Sequence, residues 1–394
     1  MTYTRVVLKS EKEQSLQRFH PWIFSGAIKR IEGEPNDGEV VEVYGYRGEF
    51  LALGHFQSGS IMVRVVSFTQ REINREFWKE KLTKALQLRR SLGLFPGTST
   101  NIFRLVHGEG DGMPGLIVDV YGSTAVMQVH SVGMSLIKST IAELIVEITD
   151  GAVASVYDKS AGTLSPKAEQ IATDGYLIGD SAESQFVEND NKFFVSWEEG
   201  QKTGFFIDQR ENRQLLEKYC KDASVLNAFC YTGGFSVYAA KGGASQVVSV
   251  DSSKKAMELT TKNMEHNFGH NPKYQSLCTD VFQFLRDNND TYDVIVLDPP
   301  AFAKNKSALR NALQAYKRLN AAAFRMLNPG GVLFTFSCSQ VVTRDQFRNA
   351  VFSGSIIAQR DVRILHQLTQ PADHPINIYH PEGEYLKGLV LFAE

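Results

Sequence analysis

The chain reads as α/β, with a parallel sheet covered on both faces in its C-terminal half, a small β-barrel at its N-terminus and a small mixed α/β domain between them. Three observations predict this. Its 394 residues exceed one ordinary core, at about 100–200 residues per domain. The first 70 or so residues are short strands punctuated by glycine. From about residue 190, strands rich in Val, Leu, Ile and Phe alternate with helical stretches, as expected of a buried parallel sheet. The boundaries expected are 1–70, 71–190 and 191–394.

In the first segment EVVEVY, EFLALGHF and SIMVRVVSF cluster β-branched and aromatic residues between Gly45, Gly48, Gly54 and Gly59, the pattern of a small barrel. FHPWIFSGAI (19–28) is apolar and aromatic, which suits packed core better than a base-stacking surface. Residues 71–90 predict an amphipathic helix with Ile73, Phe77, Leu82, Ala85 and Leu88 on one stripe. Its Arg75, Lys79, Lys81, Lys84, Arg89 and Arg90 form either a solvated face or a surface that neutralises phosphates.

Residues 100–190 predict strands around a turn at 108–115, a helix near 135–149 and the strand SVYDKS. HGEGDGMPG has the composition of a phosphate-binding loop but lacks the Walker lysine, so it reads as a turn. Beyond 190, VLNAFCY, QVVSVD, YDVIVLDPP and GGVLFTFSCS are strands ending in chemistry-bearing residues. Helices are expected over 208–220, 234–241, 253–267, 281–288 and 308–327.

Bulk properties exclude several classes. The formal net charge is -2 with 43% hydrophobic and 22% charged residues, so the chain is globular and any nucleic-acid surface must be local. The N-terminal stretch lacks a signal peptide's apolar core, and no apolar run approaches the roughly 20 residues of a membrane span. Cys220, Cys230, Cys278 and Cys338 are scattered, with neither CxxC pairs nor His partners at ligand spacing. Reduced thiols in the cytoplasm, no membrane and no metal are the expectations.

Five strand ends carry the candidate chemistry. In NAFCYTGGF (227–235), Gly233 and Gly234 let backbone approach a ligand where a helix begins with free N–H groups. Asp251, about 20 residues on, stands where an acid accepts from ribose hydroxyls. Asp280, in LCTDVFQFL, is placed to contact an adenine edge. Gly-Gly, Asp and Asp at successive strand ends suit an adenosyl group; the alternative is that both acids cap helices. DPPAF (298–302) closes a very apolar strand with two prolines that rigidify the loop. Asp298 can accept from a base's exocyclic amine or share a proton with a ring nitrogen, and Phe302 can stack on an extruded base. In FTFSCSQ, Cys338 follows a buried strand between two serines, placed as a nucleophile. The other three cysteines read as inert core.

QKTGFFIDQRENR (201–213), NAFCYTGGF, DPPAF and FSCS, taken with HPWIFSGAI, resemble the RlmI-type large-subunit ribosomal RNA (cytosine-carbon-5) methyltransferases over essentially the whole chain. The resemblance implies an N-terminal PUA-like RNA-binding domain, a small central α/β domain and a Rossmann-like class I methyltransferase domain using S-adenosylmethionine. It implies that Thr203, Phe205, Asp208 and Arg210 help enclose the cofactor. It further implies that Tyr231, Gly233 and Gly234 hold the methionyl end, Asp251 the ribose, and Asp280 with Val281 the adenine. Cys338 would be the nucleophile, ribosomal RNA the partner. Many RNA cytosine-5 enzymes carry a second Cys where this chain has Pro300, so a two-cysteine release scheme is not available to it. Two other readings remain at this stage: an amino-methyltransferase acting on an exocyclic nitrogen of an RNA base, and a non-catalytic RNA-binding scaffold. The modified nucleotide, the base for the elimination step and the oligomeric state have no signal in the sequence.

Overall fold

In the computed structural model, which describes residues 3–95, 97–164, 173–181 and 183–394, the glycine-punctuated N-terminal stretch forms six strands. They are β1 (Thr4–Leu8), β2 (Trp22–Phe24), β3 (Ile28–Glu32), β4 (Val40–Tyr44), β5 (Phe50–Phe56) and β6 (Ile61–Ser67), in the sheet order β2-β6-β5-β4-β1-β3. β1 and β4 run parallel; the other pairs are antiparallel. Gly54 shows what the punctuation does: a Cβ there would lie 2.5 Å from the Arg64 carbonyl oxygen on the paired strand. Val6, Leu8, Leu16, Ile23, Val41, Val43 and Val63 form the core. The aromatic segment 19–28 meets its expectation of burial only in part. Pro21 and Ile23 are buried and Ala27 and Ile28 pack against the core, while Phe19 and Phe24 are exposed, Phe24 because the three-residue β2 alternates its side chains across one sheet edge.

The basic helix spans Arg75–Ser91. It starts later than its apolar stripe suggests because the Asn74 side chain accepts from the Phe77 N–H at 3.1 Å and caps it there. The alternative of a phosphate-contacting face is corrected at three positions. Arg89 is fully buried and bonds both oxygens of Asp111, at 2.5 and 2.8 Å. Arg75 and Lys79 both pair with Glu147, at 2.7 and 2.6 Å, on the helix Lys138–Ile148. The central sheet is β7 (Ile102–His107), β8 (Leu116–Tyr121), β9 (Thr124–Val129), β10 (Ser155–Asp158) and β11 (Gly175–Ile178), ordered β11-β10-β9-β8-β7. The glycine-rich segment after β7, read as a turn because it lacks the Walker lysine, is a one-turn 3-10 helix, Gly108–Asp111.

The chain divides into two compact units. The first holds both sheets above and takes in two later segments, Val195–Ile207 and Ala372–Gly383. The chain passes to the second unit within β12 (Gln185–Glu188), and β13 (Asn191–Phe194) belongs to the second. There follow β14 (Ser224–Ala228), β15 (Gln246–Asp251), β16 (Tyr274–Cys278), β17 (Tyr292–Leu297), β18 (Leu327–Ser337), β19 (Val362–Leu368) and β20 (Lys387–Ala393). Their order is β16-β15-β14-β17-β18-β20-β19. The first five are parallel and β20 is antiparallel to both neighbours. Val225, Leu226, Ile295, Val296, Leu333 and Phe334 are buried, as a sheet covered on both faces requires. Connections leave β14 toward β15 on one side and β17 on the other, which opens a crevice beyond the carboxyl ends of β14 and β17. Among the described residues, no helix is long and apolar enough to cross a membrane.

Candidate active site

The loop after β14 is held in a conformation that side chains resist. Phe229, Tyr231 and Gly233 have φ of 59°, 48° and 78°, the left-handed region where a non-glycine residue costs of order 1–3 kcal/mol. Asp251, at the end of β15, holds this loop: its Oδ2 accepts from the Tyr231 N–H at 3.0 Å and its Oδ1 from the Ser253 N–H at 2.9 Å. The carboxylate therefore braces the turn rather than capping the next helix, which Ser253 caps through Ala256. Each of its oxygens retains acceptor capacity for a ribose hydroxyl. A Cβ on Gly233 would meet Thr260 Cγ2 at 2.7 Å, so glycine is required there by packing as well as by φ. Gly234 opens the helix Gly234–Lys241, whose first N–H groups have no intrahelical partner. Beside it the Thr232 hydroxyl is buried without a hydrogen-bond partner, a polar group waiting for a ligand atom.

Asp280 is exposed and caps the helix Val281–Asp287, accepting from the Gln283 N–H at 2.8 Å. The capping alternative is thus the structural fact at this position, and Val281 is buried beneath it. A left-handed loop with free N–H groups, an orphaned hydroxyl and a braced acid at the next strand end together fit an adenosyl ligand.

At the other side of the crevice, Asp298 follows β17 and its Oδ1 accepts from Gln209 Nε2 at 3.0 Å. Cys338 follows β18. The two strands pair in register, Leu297 against Thr335, which brings the two loops together. The Cys338 thiol donates to the Pro299 carbonyl oxygen at 3.9 Å and is partly exposed. It faces a cavity of about 300 Å³ also lined by Ala301, Ala303, Lys304, Ser339 and Tyr385. Tyr385 donates to Asp208 Oδ2 at 2.7 Å, so Asp208 orients a wall of that cavity. Arg210 is buried at the start of the helix Arg210–Glu217.

Thr203 and Phe205 belong to the first unit, where both are buried and the Thr203 hydroxyl donates to Asp119 Oδ2 at 2.6 Å. Phe302 packs against Tyr316 and Phe282, ring centroids 4.7 and 6.0 Å apart, so it is engaged in the core rather than held out for a base. The inert-cysteine expectation holds for Cys220 and Cys230, whose thiols burial pushes up, that of Cys220 to about 12. It fails for Cys278, which is exposed at the end of β16 because an edge strand has an uncovered flank.

One functional candidate escaped the sequence altogether. Lys387, the cross-strand partner of Ser337 on β20, is 3% exposed and donates to the Ser339 carbonyl at 2.8 Å. Burial pushes its ammonium down to about 8, against the opposing attraction of Cys338. No motif marks it; the only signal was a lysine at the head of the apolar run GLVLFA.

The S-adenosylmethionine-dependent methyltransferase family model matches residues 162–371, and that of the PUA-like domain matches residues 6–68. The chain is 40% identical over 391 residues to "Ribosomal RNA large subunit methyltransferase I" of Enterobacter sp. (strain 638), covering 98% of each chain. It is 40% identical over 396 residues to the protein of that name from Aeromonas hydrophila, covering 98% of this chain and 99% of that one. Among solved structures, it resembles a Streptococcus mutans protein assigned as a SAM-dependent methyltransferase, with 23% identity, full coverage of both chains and a TM-score of 0.83. A second, SMU.776 complexed with SAH, is 24% identical with full coverage and a TM-score of 0.85. These two likenesses speak to the fold.

Proposed function

The chain belongs to the family of ribosomal RNA large subunit methyltransferase I and is an S-adenosylmethionine-dependent methyltransferase with a PUA-like domain, and from that premise we propose that it forms 5-methylcytidine in large-subunit (23S) ribosomal RNA through a covalent adduct on Cys338. Carbon 5 of cytosine is too poor a nucleophile to take a methyl group directly. When bound, S-adenosylmethionine supplies an electrophilic methyl on a positively charged sulfur. Gly233, Gly234 and Tyr231 hold its methionyl end, Asp251 its ribose, and Asp280 with Val281 its adenine. Asp208 and Arg210 contribute to the enclosure.

The Cys338 thiolate bonds to carbon 6 and breaks the 5,6 double bond, leaving carbon 5 electron rich. Asp298 accepts from the exocyclic amine and, as the acid, gives a proton to ring nitrogen 3 as negative charge develops there, taking it back when the double bond re-forms. After methyl transfer a base removes the carbon-5 proton, the double bond re-forms and Cys338 leaves as thiolate. Lys387 is a positioning residue in this scheme: its buried cation favours thiolate over thiol at Cys338. The transfer itself calls on no metal.

For RNA, a cavity of about 390 Å³ in the first unit is lined by Phe19, Phe68 and Tyr379 together with Lys81, rings and a cation suited to unpaired nucleotides, while Arg71 and Lys84 on its wall are paired with Glu80. Cytoplasmic localisation follows from such a substrate. The observation that carries the reading is the 3.9 Å contact between Cys338 and the Pro299 carbonyl, which joins the nucleophile to the loop bearing Asp298. Mass-spectrometric mapping of large-subunit RNA from cells with and without the protein tests it. Loss of one 5-methylcytidine supports the proposal; loss of a methyl on an exocyclic nitrogen, or full transfer by Cys338→Ala, makes the enzyme an amino-methyltransferase.

A further inference from the structure

Two histidines and a glutamate that play no part in methyl transfer converge in the first unit. His20 precedes Pro21 and β2; His380 and Glu382 lie at the end of the returning segment Ala372–Gly383. The His20 Nε2 is 3.5 Å from Glu382 Oε2, and the His380 Nε2 is 3.7 Å from the same oxygen. One ligand atom from each residue lies within 4.8 Å of the other two. A tetrahedral cation bonded at about 2.0–2.1 Å sets its ligand atoms roughly 3.3–3.4 Å apart. Two of the three edges are therefore close to that spacing before any ion draws them in.

A second observation points to a ligand independently. The His380 side chain is 4% exposed, yet neither of its ring nitrogens has a hydrogen-bond partner. A buried imidazole left this way gives up roughly 1–3 kcal/mol of solvation without return. The surroundings also orient the two rings. The Trp22 ring packs on His380 at a centroid distance of 4.4 Å. The His20 Nδ1 accepts from the Trp22 N–H at 3.2 Å and lies 3.3 Å from the Trp22 carbonyl oxygen, so one residue holds the ring, and Nε2 is freed to ligate in the tautomer that donates to the carbonyl. Trp22 in turn donates its indole N–H to Glu109 at 2.8 Å, adding a second carboxylate to the neighbourhood.

We propose that His20, His380 and Glu382 bind one divalent late-transition-metal ion, Zn²⁺ by ligand chemistry, with the fourth position open to water. Two imidazoles and one carboxylate suit zinc and its neighbours rather than magnesium or calcium. The half-exposed Glu382 leaves a path for entry. The ion would staple the segment that ends at Gly383 to the residues leading into β2, the two being remote in sequence. That remoteness is why ligand spacing along the chain shows nothing.

The test uses full-length protein stripped with a chelator, titrated with ZnCl₂ by calorimetry and with Co²⁺ by visible absorption. One equivalent should bind, with cobalt bands of nitrogen and oxygen ligation and no thiolate charge transfer. Glu382→Gln and His20→Ala, both at partly exposed positions, should each weaken binding about tenfold or more and abolish the rise in melting temperature that zinc gives the parent. His380→Ala adds a third arm if it folds. Absence of saturable one-to-one binding, unchanged affinity in both exposed-site variants, or thiolate bands at one equivalent would each overturn the proposal.

Discussion

Two cysteines stand just beyond parallel strands of one sheet, Cys230 after β14 and Cys338 after β18, and their surroundings could hardly differ more. Cys230 is buried, with its sulfur 3.5 Å from the Met257 sulfur and 3.9 Å from the Thr260 hydroxyl. Burial and the Asp251 charge both push its thiol up. Cys338 is partly exposed, meets the Pro299 carbonyl and shares its neighbourhood with the cation of Lys387. Position past a strand therefore does not make a nucleophile. What separates the two is a nearby positive charge and an open cavity against apolar packing and a negative one.

The largest effect expected from this contrast is at the sulfur itself. Cys338→Ala should cost about 10³-fold or more in methyl transfer while leaving S-adenosylmethionine binding intact. Cys230→Ala should change the rate by less than about twofold and cost about 1 kcal/mol of stability from the lost packing. A steady-state assay beside a denaturation curve checks both, and equal losses of activity would erase the distinction.

Asp298→Asn comes next. It keeps an acceptor for Gln209 but removes the proton that ring nitrogen 3 takes up, so kcat should fall by about 10²–10³-fold with little change in the KM for RNA.

Lys387→Met should cost about 10–100-fold in rate and yet stabilise the fold at pH 7 by about 1–2 kcal/mol, since an apolar side chain replaces a buried charge. Its folded value, about 8, lies below its ordinary 10.5. The unfolded chain thus binds more protons between those values, and this group's penalty to stability is full below pH 8 and relieved as pH rises toward 10.5. The rate should fall as pH climbs through about 8 and the cation is lost. Lys387→Arg, charged throughout, should lack that limb. A pH profile identical in the parent and both variants would remove Lys387 from the account.

Gly233→Ala is the smallest expected change to chemistry and acts on binding alone. The added Cβ would meet Thr260 at 2.7 Å, and the loop shift should weaken S-adenosylmethionine binding by about tenfold, read by calorimetry.

Much of the second unit was legible because its signals are local. The helix Gly234–Lys241 begins where two glycines permit it, and Asp251 and Cys338 each close or follow a run of apolar residues whose period declares a strand. What escaped was non-local. Arg89 looks like one more basic residue on an amphipathic helix until Asp111 is folded beneath it. Phe302 reads as an available ring until Tyr316 packs on it. Thr203 lies in a motif shared with Asp208, but the chain crosses from one unit to the other between them. Lys387 is brought to the site only by an antiparallel strand added after the parallel ones, and nothing in its own neighbourhood announces that pairing.

The most direct test of the covalent route is a trap. RNA carrying 5-fluorocytidine at the target lets the thiolate add and the methyl transfer, but fluorine cannot leave as the carbon-5 proton does, so the adduct cannot resolve. Intact-mass and peptide analysis should find protein, nucleotide and methyl joined at Cys338, with no adduct in Cys338→Ala. Release of methylated fluorinated RNA without any trapped protein, or a trap located on another cysteine, would contradict it.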